Sequence, residues 1–304
     1  MGEDESGRPG EPDAAADAPF RAARGGPAEA GADAVSGIGR FVPVLLYHGV
    51  TTAPSGPMAP FAVAPDVFAG HLDLLLDEGF EPVTMSAFMA ARTAGTAAGR
   101  RLALITFDDG FADFASNALP RLLERGIPAS LYVTTGWLDG RRGRLTGPPD
   151  PFLSWSELPA IRDAGIEVGA HTHSHPQLDT LSRRMILEEL RGSKAMLEDA
   201  LSAPVVSVAY PHGYNDPRVR RIAHEVGYES GAAVDNRLAS SDGDAFRIPR
   251  LMLGPGDSVA ELRRLLSSPP ASGARALVRW SLRMGWRTYR RSKAVATGRP
   301  GRAW

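Results

Sequence analysis

The chain has no cysteine among its 304 residues. That excludes disulfides, thiolate zinc sites, iron–sulfur clusters and a cysteine nucleophile. It says nothing of compartment, because a chain of this length can build a core without staples. Long apolar runs are lacking too: none approaches the ~20 residues of a transmembrane helix. The first 40 residues hold no apolar stretch of the kind a signal peptide requires. Net charge is small, −1, so bulk electrostatics points to no nucleic-acid partner. What is present is 43% apolar residues, enough for one large α/β domain, a barrel included.

Charge is unevenly spread. Residues 1–40 carry eight acidic and four basic side chains, and 22 of the 40 are Ala, Gly or Pro. Such a segment buries too little apolar surface to offset its ordering entropy, and it is read as disordered. Residues 271–304 carry nine Lys or Arg and no acid, which leaves −6 for 41–270. Within that tail, 274–291 reads as a basic amphipathic helix with Leu277, Trp280 and Met284 on one face. Such a helix suits peripheral contact with an anionic membrane, or docking on its own domain. The expected organisation is therefore a disordered segment 1–40, a folded domain 41–270 and a basic tail 271–304.

Short apolar runs alternate with amphipathic stretches across the middle. Strands are expected at 42–47, 102–106, 129–134, 166–169, 205–209, 228–233 and 248–251. They are continuously apolar, as strands buried on both faces are. Helices are expected at 65–78, 84–93, 112–125, 154–164, 181–201, 215–226 and 257–267, with start signals such as Ser154 followed by Glu157. Gly136–Leu153 reads as a long loop. The alternation implies a parallel sheet, open or closed into a barrel.

Three strands run directly into polar clusters. Leu102–Thr106 ends in Phe107-Asp108-Asp109-Gly110, Ile166–Ala170 in His171-Thr172-His173-Ser174-His175, and Val205–Ala209 in Tyr210-Pro211-His212-Gly213. In parallel α/β folds ligands bind at the carboxyl ends of strands. Two adjacent carboxylates before a glycine turn can divide two roles, one on a metal and one free as a base; Asp-Asp-Gly is also a plain turn. His171 and His175 stand at i, i+4, where one helical turn would set both imidazoles on one face to chelate an ion. Such a pair also occurs as capping or core histidines. Two His and one Asp with open positions suit a hydrolytic Zn²⁺ and also non-haem Fe²⁺.

These clusters, in this order, resemble the polysaccharide deacetylases of the NodB-homology type, carbohydrate esterase family 4. The family's TFDDG motif stands at Thr106–Gly110, its H(S/T)xxH motif at His171–His175, and Tyr210–Gly213 is similar to a Tyr-Pro-Tyr-Gly variant of its third motif. The resemblance spans about 42–255. It implies an α/β fold, a deformed and incomplete (β/α) barrel. It also implies metal-dependent hydrolysis of the acetamide of an N-acetylated carbohydrate, with release of acetate. By position, Asp109, His171 and His175 would bind a divalent metal, zinc first, with Fe, Co or Mn as alternatives. Asp108 would be the general base. An oxyanion would rest near the His212 backbone N–H, and Tyr210, Pro211, Gly213, Arg250 and His48 would face substrate. Hydrolysis of another non-peptide amide on the same site, or a degenerate glycan-binding barrel, are the competing readings.

Two departures bear on the mechanism. The Arg that often opens the third motif is replaced by Ala209; Arg247 or Arg250 could reach the base instead, or be rim charges. The late Leu-x-His is missing, since no histidine follows Arg250. His212 and His48 are then the candidates for general acid. Asp235 reads as a turn cap. Without an export signal in the sequence as written, a cytoplasmic or membrane-peripheral location is expected, and an extracytoplasmic one if the true start differs.

Overall fold

The computed structural model describes residues 41–140 and 148–267. The segment 1–40, the helix expected at 274–291, the outer edge of the expected domain at 268–270 and part of the long loop, 141–147, lie outside the described residues. The boundaries drawn there remain expectations.

Among the described residues eight strands form one sheet: β1 (Val44–Tyr47), β2 (Glu81–Pro82), β3 (Leu102–Phe107), β4 (Ser130–Val133), β5 (Glu167–Ala170), β6 (Ser207–Ala209), β7 (Ser230–Ala232) and β8 (Leu251–Met252). Their order is β7-β6-β5-β4-β3-β1-β8, with β2 paired to the start of β3, and every pair is parallel. Ile248 bridges to Ala232 on β7, while Leu251–Met252 pairs with Leu45–Leu46 on β1. One short segment therefore touches both ends of the sheet. The sheet is a curled, incomplete barrel, as the resemblance implies.

Among the described residues seven α-helices surround it: α1 (Pro65–Asp77), α2 (Met85–Thr93), α3 (Leu119–Glu124), α4 (Leu158–Asp163), α5 (Arg183–Leu201), α6 (Pro217–Val226) and α7 (Val259–Leu266). Starts follow the capping chemistry. Thr84, Ser182, Asp216 and Ser258 each accept a backbone N–H from the first turn. Two expected helices are broken near their starts. Residues 112–125 hold a π-helical turn, Phe114–Ala118, before α3, and 154–164 a 3₁₀ turn, Trp155–Glu157, before α4. Pro120 and Pro159 stand in the first turn of the α-helices and have no N–H to continue an earlier ladder.

Side-chain parity along the strands makes two apolar layers. Val44, Leu104, Tyr132, Ala209, Ala232 and Ile248 fill the barrel interior, with Met85 and Phe88 of α2 packed among them. Leu45, Ile105, Leu131, Val133, Val168 and Val208 face the helices, against Phe68, Leu72, Leu190 and Ile222. Because side chains alternate, the interior row of β3 runs Leu102, Leu104, Thr106 and then Asp108. The row through Gly169, opposite Tyr132, runs to His171. Parity thus delivers one acid and one imidazole to the inside of the carboxyl rim.

Candidate active site

A cavity of about 210 Å³ opens at that rim. Asp108, Asp109, His171 and His175 form its polar part, His48 and His212 line it as well, and Phe61, Val234 and Met252 supply its apolar wall.

Asp108 and Asp109 diverge because the backbone turns between them. Asp109 has φ 76° and Gly110 φ 88°. At Gly110 a side chain would meet Val133 at 3.0 Å, so a residue without Cβ is required there. Asp108 points into the barrel, where Arg250 grips it. Arg250 Nη1 donates to Oδ1 and Nη2 to Oδ2, both at 2.7 Å, while Nε donates to the Ala233 carbonyl and Nη1 also to Thr106 Oγ1. Burial opposes ionisation of Asp108, but Arg250, His171 and the Arg250 hydrogen bonds outweigh it and hold the carboxyl below its usual range. Of the two arginines considered for this task, Arg250 performs it. Arg247 instead pairs with Asp235 at 3.4 Å, so Asp235 serves as an ion-pair partner.

Asp109 has the opposite surroundings. It is 1% exposed, and neither carboxylate oxygen has a hydrogen-bond partner. Burial and then the Asp108 charge push its carboxyl well above the usual range. Its Oδ1 lies 3.5 Å from His171 Nε2 and 3.4 Å from His175 Nε2, beyond hydrogen-bonding distance. One ligand atom from each of the three residues falls within 4.8 Å of the others. His171 Nδ1 donates to the Ala209 carbonyl at 2.8 Å, so its Nε2 carries the lone pair toward Asp109. Burial lowers the pKa of both histidines, in His175 aided by its histidine neighbours, and keeps them neutral. A buried carboxylate without donors, facing imidazole lone pairs, is a donor set that fits a divalent cation.

The two histidines are not joined by a helical turn, contrary to the i, i+4 expectation. Residues 171–177 are irregular, with Thr172 at φ 67° and His175 at φ 56°. The loop is held by neighbours: Thr135 and Gly136 donate to the carbonyls of Thr172 and His173, and Glu189 of α5 accepts the backbone N–H groups of His173 and Ser174. His173 turns away from the cavity, its Nδ1 2.9 Å from Thr135 Oγ1.

The third cluster is only partly in the cavity. His212, at φ 58°, lines it and stacks edge-on against His175 at 4.7 Å. Tyr210, Pro211 and Gly213, expected to face substrate, are buried beneath it. The Tyr210 hydroxyl donates to the Phe246 carbonyl at 3.1 Å. Gly213, at φ 70°, packs so closely that a Cβ would collide with the Val234 backbone nitrogen. Arg250 is likewise fully buried behind Asp108 and does not reach the cavity surface. These four carry the site's frame. His48 does line the cavity, beside Phe61 at 5.3 Å, and its Nδ1 has no hydrogen-bond partner. Burial, partly offset by Asp108, lowers its pKa to about 4.

Several contributors carry no motif. Trp137 backs His175 at 4.9 Å and continues through Phe152 to Phe111 as an aromatic wall. Phe61, Val234 and Met252 come from three separate segments and have no common sequence signal. Glu189 could have been suspected only as an acid within a helix otherwise read for its apolar period.

Comparisons with known proteins agree with this geometry. The profile of the family described as polysaccharide deacetylase matches residues 95–231. The chain is 25% identical over 217 residues to YxkH of Bacillus subtilis (strain 168), covering 71% of this chain and 73% of that protein. It is 22% identical over 202 residues to the poly-beta-1,6-N-acetyl-D-glucosamine N-deacetylase of Staphylococcus aureus (strain MSSA476), covering 64% and 68%. Its fold is similar to that of the Streptococcus pyogenes deacetylase PplD in complex with acetate, with TM-score 0.67 at 24% identity over 75% of this chain and 99% of that one. It is also similar to IcaB from Ammonifex degensii, with TM-score 0.64 at 22% identity over 75% and 98%. Among the described residues no helix is long and apolar enough to cross a membrane.

Proposed function

We propose that the protein, whose residues 95–231 match the profile of the polysaccharide deacetylase family, is a divalent-cation-dependent N-deacetylase that hydrolyses the acetamide of an N-acetylated glycan and releases acetate. One observation carries the reading. A donor set with unmet charge, Asp109 with His171 and His175, shares a cavity with a second carboxylate, Asp108, that Arg250 keeps ionised. A barrel that only bound glycan would need no free base beside such a set. Arg250 also supplies the guanidinium that the third cluster lacks, which counts against a degenerate site.

Asp109, His171 and His175 would hold the cation, and zinc suits two neutral imidazoles and one carboxylate. A cation held there supplies Lewis acidity toward the amide carbonyl and toward water. Asp108 takes the proton of the water that attacks the carbonyl carbon. The His212 backbone N–H, presented by the left-handed turn, serves the developing oxyanion. As the C–N bond breaks, the leaving amine needs a proton. Asp108, which holds the proton it took from water, is placed to return it, because burial lowers the His48 pKa to about 4 and leaves that ring neutral. The products are acetate and a free amine on the sugar.

The test is acetate release from oligomers of N-acetylglucosamine, including the β-1,6-linked form, with and without a chelator. Release that stops with chelator and returns with Zn²⁺ supports the reading; chelator-insensitive release, or none, overturns it. For His48→Ala, retained amide turnover would agree with a neutral ring that only lines the cavity; loss of amide turnover with retained hydrolysis of an activated acetate ester, whose leaving group needs no proton, would instead give the acid role to His48.

A further inference from the structure

We propose that Glu189 is a positioning residue for the cation site: from α5 its carboxylate fixes the loop that carries His171 and His175. The inference rests on the cation reading above and adds to it a residue that no motif contains. One bond inside the loop, from His175 N to Thr172 Oγ1, does not by itself fix its shape. It lacks helical hydrogen bonds, and it places two residues with side chains, Thr172 and His175, in the left-handed region. A residue with a Cβ is strained in that region. Something outside the loop must therefore over-determine it.

The loop's acceptors and donors are met from different sides. Thr135 N and Gly136 N donate to the carbonyls of Thr172 and His173 at 3.2 and 2.8 Å. Among the donors, His175 N bonds Thr172 Oγ1 within the loop at 3.1 Å, while those of His173 and Ser174 go to Glu189. Its Oε2 accepts His173 N at 2.9 Å and Ser174 N at 2.8 Å, and its Oε1 accepts the Ser174 hydroxyl. These bonds are charge-assisted, the stronger class. Among the described residues no Lys or Arg forms an ion pair with Glu189, so its charge is spent on this loop. His173 and Ser174 lie between the two proposed ligands, so the carboxylate sets the spacing of His171 from His175 without touching either ring. The support behind it is rigid. α5 runs for 19 residues, capped by Ser182, and buries Ile186 and Leu190 on either side of Glu189.

The experiment measures cation affinity of the metal-stripped full chain, by Zn²⁺ competition with a chromophoric chelator, and the visible absorption of the Co²⁺ form. Glu189→Ala should weaken Zn²⁺ binding roughly 10–100-fold, the usual loss when an outer partner of a ligand is removed, and should alter the Co²⁺ bands. Glu189→Gln keeps an oxygen for the two N–H groups and should recover most of the affinity. Glu188→Ala, one residue away and solvent-facing, should change neither readout. If Glu189→Ala does not fold, Ser174→Ala removes one of the three bonds and should still lower affinity by about threefold (0.6 kcal/mol at RT of 0.59). Wild-type affinity and spectrum in Glu189→Ala, or wild-type affinity in Ser174→Ala, would overturn the proposal while leaving the cation site standing. A wild-type chain that binds no Zn²⁺ would overturn the cation reading itself.

Discussion

Asp108 and Asp109 are neighbours in the chain and opposites in the fold. Behind Asp108 the barrel interior is saturated: Arg250 meets both carboxylate oxygens and in turn bonds Thr106 and Ala233. Around Asp109 the cavity is unsaturated, with two buried oxygens without donors and imidazoles at 3.4–3.5 Å. One carboxyl is held below its usual range and the other pushed well above it. Environments that drive two neighbouring acids apart are how one site assigns them different work. The barrel side makes a carboxylate that is charged and fixed in place; the cavity side makes one that wants a cation.

The largest expected effect breaks the barrel side. Asp108→Asn keeps shape but cannot accept a proton, and kcat for acetate release should fall by roughly 10²–10⁴-fold, the usual worth of a general base. Little change in KM is expected. Turnover at the wild-type rate in this variant would remove Asp108 from the mechanism.

Next in size is the loss of Arg250. Arg250→Met leaves Asp108 buried without its partner and should cost about 3–5 kcal/mol in denaturant unfolding. The sign of its pH dependence follows from the depressed Asp108 pKa. That carboxylate contributes stability above its unfolded pKa of about 3.9, and the contribution is lost as pH falls through the folded value. The gap between wild type and Arg250→Met should therefore be wide at pH 7 and narrow toward pH 3. A gap that is constant with pH would mean Arg250 acts by packing alone.

A third carboxyl sharpens the comparison. Asp113 is half-buried and forms no ion pair among the described residues, and burial, with Asp150 nearby, pushes its pKa up to about 6. Here the folded state binds the proton more tightly, so stability falls as pH rises from about 4 to 6. Asp113→Asn removes that penalty. Thermal melts should show a gain of about 1–2 kcal/mol at pH 7 and little or none at pH 4. No pH-dependent gain would show that the backbone bonds Asp113 accepts outweigh its charge.

Much of this was legible because it is local. Continuous apolar runs reported β1, β3, β4 and β5, and Asp108 and His171 stand directly after strands whose period dictates where they point, with Asp109 and His175 in the turns that follow. The cavity's remaining walls were not legible, because Phe61, Trp137, Val234 and Met252 meet only through the curl of the sheet. Arg250 was a candidate of undecided role. Its place behind Asp108, 142 residues away, depends on how its segment crosses between β7 and β1. The i, i+4 spacing of the histidines misled about the backbone. Chelating geometry can come from a left-handed loop as well as from a helical turn, and only the residues that anchor the loop tell them apart. In the third cluster, a turn motif read for substrate contact proved largely to serve packing under His212.

The central claim, that the two acids divide the work, is tested most directly by counting bound cation. Metal-stripped wild type, Asp108→Asn, Asp109→Asn and His171→Ala are each dialysed against Zn²⁺ and their metal content measured. One Zn²⁺ per chain is expected in wild type and Asp108→Asn, and almost none in Asp109→Asn and His171→Ala. Loss of Zn²⁺ from Asp108→Asn, or its full retention in Asp109→Asn, would contradict it.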